Sequence, residues 1–194
     1  MTKESNIRVL DCIKVQDAYL LTYESEEVLK YNNFDILMAR DSQNQSFIIT
    51  LKSLEKNVLE VYMSVQYEKS ILGNIKTQLL FSPLTSIEGA LEVIKITKMF
   101  PACHYDRIIA FQEQNNDIIL VIELTHVNKK MKLTLCVIKE NQLTNYKENN
   151  TILQLDFRNH QDGIEVEIDS MEGLHGIVIC SNVKAEFVSD DLGY

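Results

Sequence analysis

The feature that most constrains the fold of this chain is a set of short apolar segments with the periodicity of β-strands. In residues 59–67, 131–138 and 164–168, apolar side chains stand at every second position, and most of the residues between them are polar. A period of two places one face of a strand in a core and the other in water, as antiparallel sheets require. Residues 118–122 and 176–180 are apolar almost throughout and rich in β-branched side chains, which predicts strands covered on both faces. We therefore predict a mainly β, antiparallel fold.

A weak internal repeat adds organisation to these strands. Residues 34–65 and 105–137 align with a single one-residue gap, and each predicts a strand, a polar turn and two further strand segments. Each unit is followed by another strand segment, near residues 77–81 and near residues 153–157. Meanders that recur in this way are typical of β-propeller blades, so we predict blade-like meanders, with a β-sandwich or barrel as the alternative.

Helix signals are few. Ser86 is a suitable cap for a short helix over residues 86–92, and residues 25–29 fit one helical turn. The β-branched run at residues 93–97 favours a strand instead. We expect at most one or two short helices within one strand-rich domain over residues 1–194.

Charge and cysteine usage limit the classes of partner and compartment. The formal net charge is −9, which disfavours direct binding to nucleic acid or to anionic membranes and favours a protein partner with a basic surface. No apolar run approaches the roughly 20 residues that span a bilayer. Residues 1–6 lack the features of a signal peptide, and the four cysteines form no C-x-x-C pair. We expect an intracellular, reducing location, and these features alone favour the cytoplasm.

Motifs for cofactors and metals are missing from the sequence. It contains neither G-x-x-x-x-G-K-[ST] nor G-x-G-x-x-G nor H-E-x-x-H, and its four histidines are never four residues apart. The densest basic stretch, residues 128–132, straddles a predicted strand start, where lysines are usually solvated. We therefore predict no cofactor and no metal, and assign no catalytic or binding residue.

Two features of the sequence are candidates for catalysis. Cys103 and His104 form the one immediate pair of a nucleophile and a base, but neighbours on an extended segment point in opposite directions. Glu123 lies within an apolar run, a setting that suits a general acid, although it can equally face solvent. A hydrolase that uses Cys103 or Glu123 is thus the second alternative to a non-enzymatic role.

From about residue 53 onward, a series of short motifs resembles a known family. The motifs are Leu-Glu-Lys-Asn-Val-Leu-Glu-Val-Tyr at residues 54–62, Ser-Pro-Leu at 82–84, Arg-Ile-Ile-Ala-Phe at 107–111, and Gly-Leu-His-Gly leading to Cys-Ser-Asn at 173–182. They resemble part of the first propeller in the triple-propeller scaffold family. That family includes the propeller subunit of splicing factor 3b, the large subunit of the cleavage and polyadenylation factor, and the damage-specific DNA-binding adaptor of cullin ligases.

The resemblance implies a nuclear, non-enzymatic scaffold or adaptor of an RNA-processing or ubiquitin-ligase assembly. It also implies an incomplete propeller of about three blades. We expect protein-protein interaction, with the turns at residues 41–45 and 112–116 as candidate contact loops. The first alternative is a small acidic inhibitor or immunity-type protein that binds a basic enzyme. The sequence leaves the partner and the oligomeric state open.

Overall fold

The computed structural model describes residues 4–26, 32, 35–81, 87–100, 103–147 and 150–188. These residues form twelve strands, one α-helix and one short 3₁₀ helix at Val65–Tyr67. The strands are β1 (Glu4–Val15), β2 (Ala18–Glu24), β3 (Ile36–Arg40), β4 (Ser46–Glu55), β5 (Val58–Tyr62), β6 (Gly73–Phe81), β7 (Arg107–Gln114), β8 (Asp117–Leu124), β9 (Lys129–Asn141), β10 (Thr151–His160), β11 (Gly163–Glu172) and β12 (Gly176–Val188). The helix is α1 (Ala90–Thr97). The predicted mainly β, antiparallel class with few helices is confirmed.

The chain divides into two compact units. The first comprises Met1–Pro83 with Ile94–Phe100, and the second comprises Leu84–Val93 with Pro101–Tyr194. Each unit contains six strands that close into an antiparallel barrel. The sequence expectation of a single domain over residues 1–194 did not anticipate this division. The assignment of residues 1–194 to one strand-rich domain stays a prediction.

The first barrel has the strand order β1-β2-β5-β4-β3-β6, and β6 returns to β1. The apolar side chains at every second position of these strands point into the barrel, and this explains the period-two pattern in the sequence. The buried cluster consists of Ile7, Val9, Tyr19, Leu21, Leu37, Ala39, Phe47, Ile49, Leu51, Leu59, Val61, Met63, Ile71 and Ile75. Between these residues, Arg8 is exposed and Glu60 is partly exposed. Thr50 is instead buried, and its hydroxyl donates to the Lys98 carbonyl.

The second barrel has the strand order β10-β11-β12-β9-β8-β7. The predicted alternating segments supply buried residues at Met131, Leu133 and Leu135 and at Ile164, Val166 and Ile168. Closure between β7 and β10 is narrow, because their register contains a single pair, Arg107 with Thr151. By contrast, β3 pairs with β6 from Ile36 to Arg40 in the first barrel.

The two barrels share one strand order under circular permutation. Each contains a three-stranded meander, β3-β4-β5 or β7-β8-β9, and a following strand, β6 or β10, that pairs with the first strand of that meander. A hairpin completes each ring, β1-β2 before the first meander and β11-β12 after the second. The repeat seen in the sequence therefore corresponds to equivalent strands of the two barrels.

This pairing differs from the blade-like arrangement that the sequence analysis expected. In a blade the fourth strand extends the meander beyond its third strand, whereas here the fourth strand pairs with the first and a hairpin joins it to the third. Ring closure leaves fewer open sheet edges than a blade does, and this is a physical advantage for a small unit. The strands in the described part of the chain are therefore arranged as barrels, the alternative to blades. The family resemblance itself stays a prediction.

Three local expectations differ from the structure. Residues 93–97 are helical rather than extended, because Val93 and Ile94 are fully buried and tertiary packing overrides their β-propensity. The expected strand over residues 59–67 ends at Tyr62, and Val65 begins the 3₁₀ helix. Val137 has a φ of 55° and is exposed, so the alternation of residues 131–138 breaks there.

Two expected helix signals, Ser86 and residues 27–29, lie outside the described residues. The same is true of the motif at residues 82–84. Among the described helices, none is long and apolar enough to cross a membrane.

Candidate functional site

The Cys103 and His104 side chains lie in different environments. Cys103 is 3% exposed, whereas His104 is exposed at the surface of a turn in which the Asp106 amide donates to the Cys103 carbonyl. The His104 Nδ1 lies 2.5 Å from the Leu153 carbonyl oxygen, so this nitrogen acts as a donor there. The His104 ring also packs against Tyr105. The hydrogen bond to the Leu153 carbonyl engages only Nδ1 of the imidazole.

Glu123 lies on β8 opposite Arg107 of β7 and Lys130 of β9. Arg107 Nε donates to Glu123 Oε2 at 3.1 Å, and Arg107 Nη2 donates to the same oxygen. The Glu123 side chain is 33% exposed. Glu123 therefore belongs to a cross-strand surface ion pair rather than to the apolar pocket that a general acid needs.

The remaining histidines are dispersed. His126 lies 3.7 Å from Asp106, His160 lies 3.7 Å from Asp162, and His175 Nδ1 contacts the Gly173 carbonyl. Over the described ranges, no three His, Cys, Asp or Glu side chains lie close enough to hold a metal ion.

Asp106 is a buried carboxylate that the sequence analysis missed. Its Oδ1 accepts hydrogen bonds from the amide and the hydroxyl of Thr125, at 2.7 and 2.8 Å. These bonds tie the start of β7 to the loop that follows β8. The one signal in the sequence is an aspartate directly before a strand. Aspartates in turns have the same position, so this signal does not predict that Asp106 anchors the loop.

The basic stretch at residues 128–132 leads into β9. Lys132 Nζ lies 2.9 Å from a Glu186 carboxylate oxygen, and Lys129 Nζ lies 5.7 Å from the centre of the Phe187 ring. Both lysines therefore contact residues of the neighbouring strand β12 of the same barrel.

The candidate binding site is a polar groove on the first barrel, with a volume of about 1030 Å³. It is lined by Asn6, Ile7, Arg8, Glu24, Ser25, Glu26, Arg40, Asp41, Ser42, Gln43, Asn44, Asn74, Ile75 and Lys76. Four of these residues belong to the predicted contact loop at residues 41–45. Polar and charged side chains predominate, so the groove suits a hydrophilic ligand.

The loop in this groove is held by its own first residue. Asp41 Oδ1 accepts hydrogen bonds from the amides of Gln43 and Gln45, both at 2.9 Å, and the Asp41 amide donates to the Gln45 carbonyl. An aspartate that bonds the amide two residues on is a common turn-forming device. Asn44 adopts a φ of 66°, a conformation that asparagine tolerates well. The loop is therefore preorganised rather than loosely held.

Three cations lie on the outward positions of β1, β3 and β6 in this groove. Arg40 is directly opposite Lys76, and Lys76 is opposite Asn6 on its other side. Arg8 follows two residues after Asn6 and is opposite Asn74. The carboxylate Glu24 is opposite Arg8 on β2, and the carboxylates Glu26 and Asp41 also line the groove. We call Arg8, Arg40 and Lys76 the cationic cluster.

The second predicted contact loop, residues 112–116, comprises the end of β7 and the two-residue turn that leads to β8. The Asn116 side-chain amide donates to the Ile138 carbonyl at 3.2 Å, and the Ile138 amide donates to the Asn116 carbonyl. Asp117 Oδ1 accepts a hydrogen bond from the Val137 amide, where the backbone has positive φ. This loop is therefore bonded to β9 of its own barrel.

The sequence identified one wall of the groove but not its cationic cluster. The three cations come from separate strands, and each stands at an ordinary outward position of an alternating segment. No local motif marks them. Comparisons with known proteins found no family model that matches the chain, and no similar curated protein or solved structure.

Proposed function

We propose that this chain is a non-enzymatic protein-protein interaction module, a scaffold or adaptor that binds its partner through the groove of the first barrel. The observation that carries the proposal is the coincidence of this groove with the contact loop that the sequence predicted. The surface ion pair of Glu123 with Arg107 supports a role without catalysis.

Physical properties of the groove support protein recognition. A sheet barrel is a rigid support, and the hydrogen bonds of Asp41 reduce the conformational entropy that its loop loses on binding. The net charge of −9 favours encounter with a basic partner through long-range attraction. If the family resemblance holds, that partner belongs to an RNA-processing or ubiquitin-ligase assembly in the nucleus.

The proposal is tested by site-specific photo-crosslinking in cells, followed by reconstitution. A crosslinker at Gln43 in the groove should capture one protein, whereas a crosslinker at Asn159, exposed on β10, should not. The captured protein is then purified, and its affinity is measured for wild type, Ser42→Trp and the control Asn159→Trp. Loss of at least about tenfold in affinity for Ser42→Trp alone supports the proposal. Equal affinities for all three proteins contradict it.

The high negative charge favours one second candidate, a small inhibitor or immunity-type protein that blocks a basic enzyme. In that case the captured partner is itself an enzyme, and the purified chain abolishes its activity. Association should then slow steeply as salt is raised, because screening weakens charge steering. A partner without enzymatic activity excludes this candidate.

The hydrolase alternative stays a prediction. If Cys103 or Glu123 carried a hydrolytic reaction, Cys103→Ala or Glu123→Gln would abolish turnover of any substrate that the wild type cleaves.

A further inference from the structure

We infer that the cationic cluster of the groove, Arg8, Arg40 and Lys76, is a subsite for a phosphate monoester carried by a segment of the protein partner. The inference rests on the proposed function for its macromolecular part, since the phosphate is taken to belong to a protein. The charge arrangement of the groove carries it, in three steps.

The strand register places the three cations near one another. Arg40 and Lys76 are directly opposite each other in an antiparallel pair, where like charges are unfavourable. Arg8 lies diagonally from Lys76 across the next pair of strands, a separation of roughly 7–8 Å between such positions. Long cationic side chains at these positions can therefore converge on a single anion. An anion between them would turn their mutual repulsion into attraction.

The three cationic side chains make few contacts with the described residues. The Lys76 backbone pairs with β1 and β3. Its side chain makes no ion pair or hydrogen bond with any residue in the described part of the chain. Arg40 Nε makes a long bond to Ser46 Oγ at 3.4 Å, and the terminal nitrogens of Arg40 make no bond to the described residues. Arg8 lies 3.7 Å from Glu24, with both side chains more than 60% exposed, and such pairs are weak. The cluster thus retains donors for a ligand.

The number of cations favours a phosphate monoester as the anion. A phosphate monoester carries a charge of roughly −1.5 to −2 at neutral pH and three acceptor oxygens, which suits three cations better than a single carboxylate does. Asn6 and Asn74 side chains in the same groove add neutral donors. Glu24 and Glu26 are positioned to attract basic residues that flank the phosphate, and this fits a basic partner. The same carboxylates repel a nucleic acid, whose phosphates follow one another closely.

The experiment titrates purified protein with a short basic peptide that has one central phosphoserine, by calorimetry and by chemical-shift mapping. Comparison ligands are the same peptide with serine, the same peptide with glutamate, inorganic phosphate and a short DNA duplex. The protein variants are Arg40→Gln with Lys76→Gln, and Lys139→Gln as a control that removes an exposed charge from the second barrel. Thermal unfolding checks that each variant is folded.

We expect saturable binding of the phosphopeptide, with shifts at groove residues and at least about tenfold weaker binding to the serine peptide. The double variant should lose at least about tenfold in affinity, while Lys139→Gln should bind like the wild type. Equal binding of the serine or glutamate peptide overturns the phosphate assignment, and so does equal binding by the double variant. If inorganic phosphate binds as tightly as the phosphopeptide, the cluster is only an ion site and the proposed protein segment is wrong. If DNA binds more tightly than the phosphopeptide, the occupant is not a protein segment.

The two proposals fail separately. If the phosphopeptide does not bind but the Gln43 crosslinker captures a partner whose affinity depends on Ser42, the phosphate subsite is wrong and the interaction module stands. If the phosphopeptide binds but no protein is captured at the groove, the subsite stands as a ligand site and the scaffold function is wrong.

Discussion

Asn150 closes the second barrel at its narrowest junction, and its replacement is the most informative test of the fold. The residue is 0% exposed. Its Oδ1 accepts hydrogen bonds from the amides of Lys147 and Leu174, at 3.0 and 2.9 Å. Its Nδ2 donates to the carbonyls of Ile108 and Lys147, and its own carbonyl accepts from the Ile108 amide at 2.9 Å. One side chain thus joins β7, the segment before β10 and the turn before β12.

The cost of Asn150→Ala follows from the groups that lose their partner. Leu174 and Ile108 are buried, so the Leu174 amide and the Ile108 carbonyl become unsatisfied or poorly satisfied away from water. An unsatisfied buried polar group costs about 1–3 kcal/mol. Lys147 is exposed, and water can replace its lost bonds. Since the Ile108 contact is long, we expect a total loss of about 3 kcal/mol in the free energy of unfolding.

Urea unfolding followed by circular dichroism measures this loss. Asn159→Ala is the matched control, because Asn159 is exposed on β10 and its replacement should change stability by less than about 0.5 kcal/mol. Asn150→Asp keeps an acceptor towards Leu174 but turns a carboxylate oxygen towards two carbonyl oxygens, so it should be at least as destabilising as Asn150→Ala. A loss below about 1 kcal/mol for Asn150→Ala, or a fully stable Asn150→Asp, would refute this account of closure.

Three further outcomes are expected. Burial raises the pKa of the Cys180 thiol to about 12 from its ordinary value of 9.0, so only the unfolded chain ionises this thiol as pH rises above 9. The free energy of unfolding should therefore fall by about 1.4 kcal/mol more between pH 8 and pH 10 in the wild type than in Cys180→Ala. Urea unfolding at both pH values measures this, and an equal fall in the two proteins would contradict the burial of Cys180. Gly163→Ala should cost more than about 2 kcal/mol, because its new Cβ would lie 2.1 Å from the Cys180 carbonyl oxygen. Gly73→Ala meets no atom within 4 Å and should cost about 1 kcal/mol, so equal thermal shifts for the two variants would show that the clash is relieved. Iodoacetamide under native conditions should modify Cys103 far more slowly than Cys136, as measured by peptide mass spectrometry, and equal rates would show that Cys103 is accessible.

The sequence alone determined the local structure of most strands. Alternation at residues 164–168 reports which side chains face a core, and this pattern depends only on the two-residue repeat of an extended backbone. The polar turn at residues 41–45 was readable for the same local reason, since Asp41 and Asn44 are residue types that favour turns. Equivalent meanders in the two barrels left a detectable repeat because each must place apolar side chains in the same order.

Only the tertiary structure decided how the strands close and which charges meet. A blade and a barrel differ in whether the fourth strand pairs with the first or the third, and alternation is identical in both cases. Burial of Val93 and Ile94 likewise imposed a helix on residues whose intrinsic preference is extended. Arg8, Arg40 and Lys76 come from strands far apart in sequence, and only the register of β1, β6 and β3 places them in one groove. The physical reason is that pairing partners and register depend on contacts between distant segments, which no single segment encodes.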